Sequence, residues 1–152
     1  MTNVTPGCFV DSNVLIYAFD ASEPQKREQA TRVIDVLADS GLGVISTQVM
    51  SEVFSTLVRK KRFALDPIVV DAAVRRYARL WPVLEIQLDT VLDAMQGVIA
   101  HKLSYYDALI WATARGAGLE TLLSEDGQRG RALDGVRYLN PFAPDFDLAE
   151  LS

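Results

Sequence analysis

Four carboxylates along this 152-residue chain stand where a shared pocket would need them: Asp11, Glu52, Asp107 and Asp126. Asp11 closes the apolar run Cys8-Phe9-Val10, and Asp126 follows Leu122-Leu123-Ser124-Glu125. Acids that converge without a neighbouring base repel one another and raise each other's pKa unless divalent cations neutralise them. Donor sets made only of oxygen select hard ions, so Mg²⁺ is expected, with Mn²⁺ able to substitute and one or two ions bound. Such a cluster suits phosphodiester hydrolysis, because the ion acidifies water and offsets charge on the attacking and leaving oxygens. No protein nucleophile is required.

Each acid also has a plainer explanation. Glu52 shares its helical face with Ser55, Thr56 and Arg59, and taken alone it reads as a solvated helix-face glutamate. Asp107 stands three residues after Ser104, the spacing of a capping box, although Glu or Gln is the usual partner there. Glu125 adjoins Asp126 and is expected to point away from the cluster. Ser124 adds a hydroxyl at a strand end.

The elements that must position these acids alternate between strand-like and helix-like apolar periods, the pattern of an α/β domain with a parallel sheet. Strands are predicted at 8–10, 42–45, 83–86, 121–124 and 136–139. Helices are predicted at 13–19, from Pro24 to about Asp39, from an N-cap at Thr47 to about Lys61, from the Asp66-Pro67 pair to about Trp81, and over 90–102 and 105–117. In an open parallel sheet, ligands bind beyond the carboxyl ends of the strands, where the strand order reverses. If the first and fourth strands are neighbours, Asp11 and Asp126 face one crevice.

The chain reads as a single domain over 1–152, with a core from about 8 to 142 and an irregular acidic tail over 143–152. Hydrophobic residues at 49% and charged residues at 23% exclude a disordered polymer. Cys8 is the only cysteine, so no internal disulfide framework exists, and its apolar setting suggests a buried, unreactive side chain. His101 is the only histidine, which leaves little room for a His-rich zinc site or a Ser-His-Asp triad. No basic leader or long apolar run is present, so a cytoplasmic location without a membrane span is expected.

The segments Phe9-Val10-Asp11-Ser12-Asn13-Val14-Leu15-Ile16-Tyr17, Ser51-Glu52-Val53, Ser104-Tyr105-Tyr106-Asp107-Ala108-Leu109-Ile110 and Leu122-Leu123-Ser124-Glu125-Asp126 resemble, in order and spacing, the four acidic motifs of PIN-domain ribonucleases. The compact toxins of VapC type are the most similar members in appearance. The resemblance implies a three-layer α/β/α fold with a central parallel sheet in the order 3-2-1-4-5. It implies a metal-dependent endoribonuclease, the toxin of a type II toxin–antitoxin pair, with Asp11, Glu52, Asp107 and Asp126 as the catalytic, metal-binding acids. Ser12 and Ser124 are expected to line the site, and Asn13 to orient Asp11. A homodimer, an RNA substrate and a cognate antitoxin whose tail enters the pocket are implied as well. The family often continues its last motif with Leu or Met, whereas here Gly127-Gln128-Arg129-Gly130 follows Asp126.

Two other classes compete. A phosphatase of haloacid-dehalogenase type needs a second Asp two residues after the first, where this chain has Asn13. A non-catalytic PIN domain that binds RNA or serves as a scaffold would typically have lost an acid, and all four are present.

The net charge of −5 at first argues against a polyanionic partner. Residues 140–152, however, hold three acids and no base, leaving 15 basic against 17 acidic side chains in residues 1–139. Setting aside the four candidate ligands leaves 13 acids, a surplus of two positive charges. Arg59-Lys60-Lys61-Arg62, Arg75, Arg76 and Arg79 are clustered cations. Arg129 and Arg131, close to Asp126, are the preferred candidates for contacting RNA phosphates.

Overall fold

The computed structural model describes residues 7–126 and 131–151. Strand β1 (Cys8–Val10) is followed by helices α1 (Ser12–Tyr17) and α2 (Pro24–Ser40), β2 (Gly43–Ser46), α3 (Thr47–Arg59), α4 (Pro67–Leu80) and β3 (Val83–Leu84). Then come α5 (Leu88–His101), α6 (Tyr105–Gly116), β4 (Thr121–Leu123), β5 (Ala132–Leu133), β6 (Val136–Leu139) and a closing 3₁₀ turn at Leu148–Leu151. The sheet order is β3-β2-β1-β4-β6-β5, parallel except for the β5–β6 pair.

The expected order of five parallel strands is present, with β6 in the fifth place, and β5 adds a sixth strand that the sequence reading lacks. Its cause is local. Asp134 and Gly135, both with positive φ (46° and 87°), make the two-residue turn that lets β5 fold back on β6.

The chain winds one way through β1, β2 and β3, then returns to the other side of β1 at β4. Helices α1 to α4 pack among themselves and on β2, whereas α5 packs on α6 and α6 on β4 and β6. Right-handed crossovers place these two groups on opposite faces of the sheet. The central strands are covered on both sides, which explains their unbroken apolar runs: Phe9, Val10, Leu122 and Leu123 are fully buried.

Several boundaries differ from the expected ones. Ser46, not Thr47, caps α3, its hydroxyl accepting from the Val49 N–H at 3.2 Å. A cap of this kind contributes about 1 kcal/mol. Helix α5 begins before Thr90 because the Thr90 hydroxyl, one turn in, accepts from the Gln87 N–H at 3.3 Å. The tail is less irregular than expected, since its 3₁₀ turn packs on α2 and buries Leu151 completely. Two glycines are required where they stand. Gly41 ends α2 in the left-handed region (φ 70°), and a Cβ on Gly43 would lie 2.6 Å from the Trp81 ring.

Candidate functional site

Asp11 ends β1 at the carboxyl edge of the sheet and caps α1, accepting from the Ser12 N–H at 2.7 Å. Its own N–H donates to the Leu123 carbonyl (3.0 Å), which carries the β1–β4 pairing to the lip of the site. Helix α3 springs from the same edge, directly after β2, and brings Glu52 along its second turn. Helix α6 leads back into the parallel strand β4 and therefore runs against it. Its first turn, with Asp107, overlies the carboxyl edge. The segment 124–126 leaves β4 there too.

Asp11, Asp107, Ser124, Asp126 and Arg131 line one cavity of about 160 Å³ whose apolar wall is built from Leu103, Ile110, Leu122, Leu133 and Tyr138. Glu52 approaches from α3, close enough for the charges of Asp11 and Asp107 to act on it. The capping-box explanation of Asp107 is set aside by the geometry, because Ser104 makes no side-chain cap bond and the Asp107 carboxylate is exposed to the cavity. Glu52 is likewise no ordinary solvated glutamate. It is half-buried, and Gln48, buried one turn before it, donates to its Oε1 at 3.4 Å and to the Tyr106 carbonyl at 3.1 Å. Gln48 thereby ties α3 to the first turn of α6.

A hydroxyl relay arranges the strand-end acids. Ser124 Oγ donates to Asp11 Oδ2 at 2.8 Å and accepts from the Asp126 N–H at 3.1 Å. Ser12 Oγ lies 3.4 Å from Asp11 Oδ1. Asn13 was expected to orient Asp11, but its Nδ2 donates instead to Ser124 Oγ (3.2 Å) and Asp126 Oδ2 (3.1 Å), and its Oδ1 accepts from the Glu125 N–H (3.3 Å). The first turn of α1 carries Asn13 past the strand end toward β4, so it reaches Asp11 only through Ser124. With Asn at position 13 there is no acid where a haloacid-dehalogenase-type phosphatase would need one.

The electrostatics follow from this crowding. Burial pushes the Asp11 carboxyl up to about 6, against the lowering effect of the Ser124 and Ser12 bonds, and the charges of Asp126 and Asp107 push the same way. Burial and then the charges of Asp11 and Asp107 push Glu52 up to about 7. Burial, with the same two carboxylates, pushes the Tyr138 phenol up to about 12, so its hydroxyl remains protonated at neutral pH. Among the described residues that line the cavity, Arg131 is the one cation beside three carboxylates, so negative charge is in excess and the acids offer oxygen donors. That composition fits a hard divalent ion. Among the described residues no three His, Cys, Asp or Glu side chains are arranged to hold an ion by themselves. Mg²⁺ commonly keeps several waters and takes one or two carboxylates, so the donor set still suits it.

Arg131 lines the cavity, as expected of a residue near Asp126, whereas Arg129 lies outside the described residues. Two of the other clustered cations are engaged elsewhere. Arg62 reaches the buried Asp20 at 3.4 Å, and Arg75 pairs with Asp71 at 2.9 Å. Glu125 points away from the cavity, as expected, to Tyr17 and Lys26. Cys8 is buried and its thiol is pushed up to about 11 by that burial, which makes it inert. His101 pairs with Asp134 at 3.2 Å and packs edge-on against Trp111. Sequence reasoning missed Gln48 and Tyr138. Gln48 offered the spacing of one helical turn before Glu52, and Tyr138 its place on a strand next to β4.

The PIN domain family model matches residues 8–132. No curated protein matches the sequence. Among solved structures, the chain is similar to a toxin–antitoxin complex from Klebsiella pneumoniae (20% identity, TM-score 0.66, covering 90% of this chain and 98% of that one). It is also similar to the sarcin–ricin-loop-cleaving toxin VapC20 of Mycobacterium tuberculosis (21% identity, TM-score 0.61, 79% and 92%). A third similar structure is the DNA-bound VapBC of Salmonella typhimurium (17% identity, TM-score 0.63, 90% and 99%). At these identities the likenesses establish a shared fold.

Proposed function

The chain belongs to the PIN-domain family, and from that premise we propose that it is a Mg²⁺- or Mn²⁺-dependent endoribonuclease, the toxin of a toxin–antitoxin pair. The observation that carries the proposal is the gathering of Asp11, Asp107 and Asp126 around one cavity, with Glu52 within electrostatic reach and with burial and neighbouring carboxylates pushing the Asp11 and Glu52 carboxyls up to about 6 and about 7. The presence of all four acids disfavours a non-catalytic scaffold.

Asp11, Glu52, Asp107 and Asp126 are the residues that would hold the ion. When bound, it supplies acidity to water and positive charge against which a phosphodiester oxygen can build up negative charge. Ser124 and the Ser12 N–H keep Asp11 oriented by donating to opposite oxygens of its carboxylate. Arg131 is placed to pair with a substrate phosphate, and the protonated Tyr138 hydroxyl is a donor at the cavity wall.

The partners follow the same reading. An acidic pocket without its ion attracts a basic segment, which supports an antitoxin tail bearing a cation. A second copy of the chain is supported by α5, whose Leu88, Leu92, Met95 and Ile99 form an exposed apolar stripe. No described helix is long and apolar enough to cross a membrane. The lone, unpaired Cys8 suits the reducing cytoplasm.

Purified protein is expected to cleave RNA in Mg²⁺ or Mn²⁺, to stop when EDTA is added and to resume when the ion is restored. Cleavage that persists in EDTA would contradict metal dependence. Binding of RNA or an antitoxin without any cleavage would favour the scaffold reading.

A further inference from the structure

Asp126, like Asp107, is an exposed member of the acid cluster, and the residue after it, Gly127, has no side chain with which to anchor it. The neighbour on its other side is held firmly. Glu125 Oε1 accepts from the Tyr17 hydroxyl at 2.7 Å, and its Oε2 lies 2.9 Å from Lys26 Nζ. Lys26 Nζ also reaches the Tyr17 hydroxyl at 3.4 Å and stands 4.8 Å from the centre of the Tyr17 ring, which packs edge-on against Phe142. Asn13 and Tyr17, one turn apart on α1, thus grip the same short segment, Asn13 through Ser124, the Glu125 N–H and Asp126, and Tyr17 through the Glu125 carboxylate. Lys26 ties that grip to α2.

We propose that the Glu125–Lys26–Tyr17 clamp is a positioning device, which fixes the segment 124–126 against α1 and α2, holds the Asp126 carboxylate toward the cavity and so sets the affinity of the site for a divalent cation. The proposal rests on the reading of Asp126 as a ligand. None of the three clamp side chains lines the cavity, so the clamp acts through Asp126 and not on substrate. Charge and position make opposite demands here, which makes the idea testable. Lys26 is a cation beside an acidic cluster. Were its charge all that mattered, removing it would strengthen cation binding.

The experiment is calorimetric titration of Mn²⁺ into the full chain as wild type, Asp126→Asn, Lys26→Met, Tyr17→Phe and the Asp126→Asn/Lys26→Met double variant, with a thermal melt of each. The clamp predicts that Lys26→Met weakens Mn²⁺ binding roughly 10-fold, the size usual for groups that orient a ligand. Tyr17→Phe, which keeps the ring against Phe142, weakens it in the same direction, and it decides the matter if Lys26→Met fails to fold. In the Asp126→Asn background Lys26→Met has no further effect, because the residue it positions is already gone. Unchanged or tighter binding by Lys26→Met, with Asp126→Asn still weakened, overturns the clamp and leaves the metal site standing. Wild-type affinity in Asp126→Asn overturns both the clamp and the assignment of Asp126.

Discussion

Asp11 is almost wholly buried, yet its carboxyl is pushed only to about 6, because Ser124 and the Ser12 N–H donate to it. Glu52, with weaker support from its hydrogen-bonding neighbours, rises to about 7. A carboxyl whose pKa is higher folded than unfolded binds more protons in the folded state between the two values, so stability falls as pH rises through that window. For these two groups the contribution is fully present below about pH 4 and is lost by about pH 7. A divalent ion reverses the trend, since it binds the ionised forms and displaces their protons. Mg²⁺ is therefore expected to raise the melting temperature little at pH 5 and much more at pH 8, and Glu52→Gln should flatten that difference. An equal Mg²⁺ effect at both pH values would contradict the assignment. The identity of these acids was legible in the sequence, but their environments were not. Glu52 looked solvated because Asp11 and Asp107, the charges that act on it, arrive from the end of β1 and from α6, and Asp107 looked like a cap because spacing alone cannot show that Ser104 makes no such bond.

At the scale of elements, the best-read segments are those with strong local signals: the Asp66-Pro67 start of α4, the glycine stop of α2 and the apolar runs of β1 and β4. Misreadings fall where a local choice had two candidates. Ser46 and Thr47 are both capping residues, and only the end of β2 decides between them. Asp134-Gly135 flanked by Leu133 and Val136 is a hairpin turn signal, but β5 is only two residues long and too short to show a strand period of its own. Helix α5 carries a feature that periodicity alone leaves ambiguous. Leu88, Leu92, Met95 and Ile99 recur at steps of four, three and four, the spacing of a seam between helices, and they are 74%, 48%, 50% and 74% exposed. A stripe of that kind is suited to an isologous contact with a second copy. Light scattering is expected to find a dimer for the wild type and a monomer for Leu92→Glu with an unaltered melt. A wild-type monomer at the same concentration would remove α5 as a dimer seam.

For the whole molecule, the order of the strands explains why acids separated by more than a hundred residues meet. The sheet reverses between β1 and β4, so the two strands that deliver Asp11 and Asp126 become neighbours, while α3 and α6 bring Glu52 and Asp107 to the same edge. The charge of −5 is consequently not spread over an acidic surface: part lies in this pocket and part in the tail. On the proposed reading this pocket, with a divalent ion bound, hydrolyses RNA. Its most direct test is the cleavage rate of a labelled RNA in Mg²⁺ by wild type and Asp11→Asn purified side by side, with matched thermal melts. A loss on the order of 10²-fold or more is expected, at or beyond the upper end of what a ligand-orienting group outside the metal shell produces. Equal rates for the two proteins would contradict it.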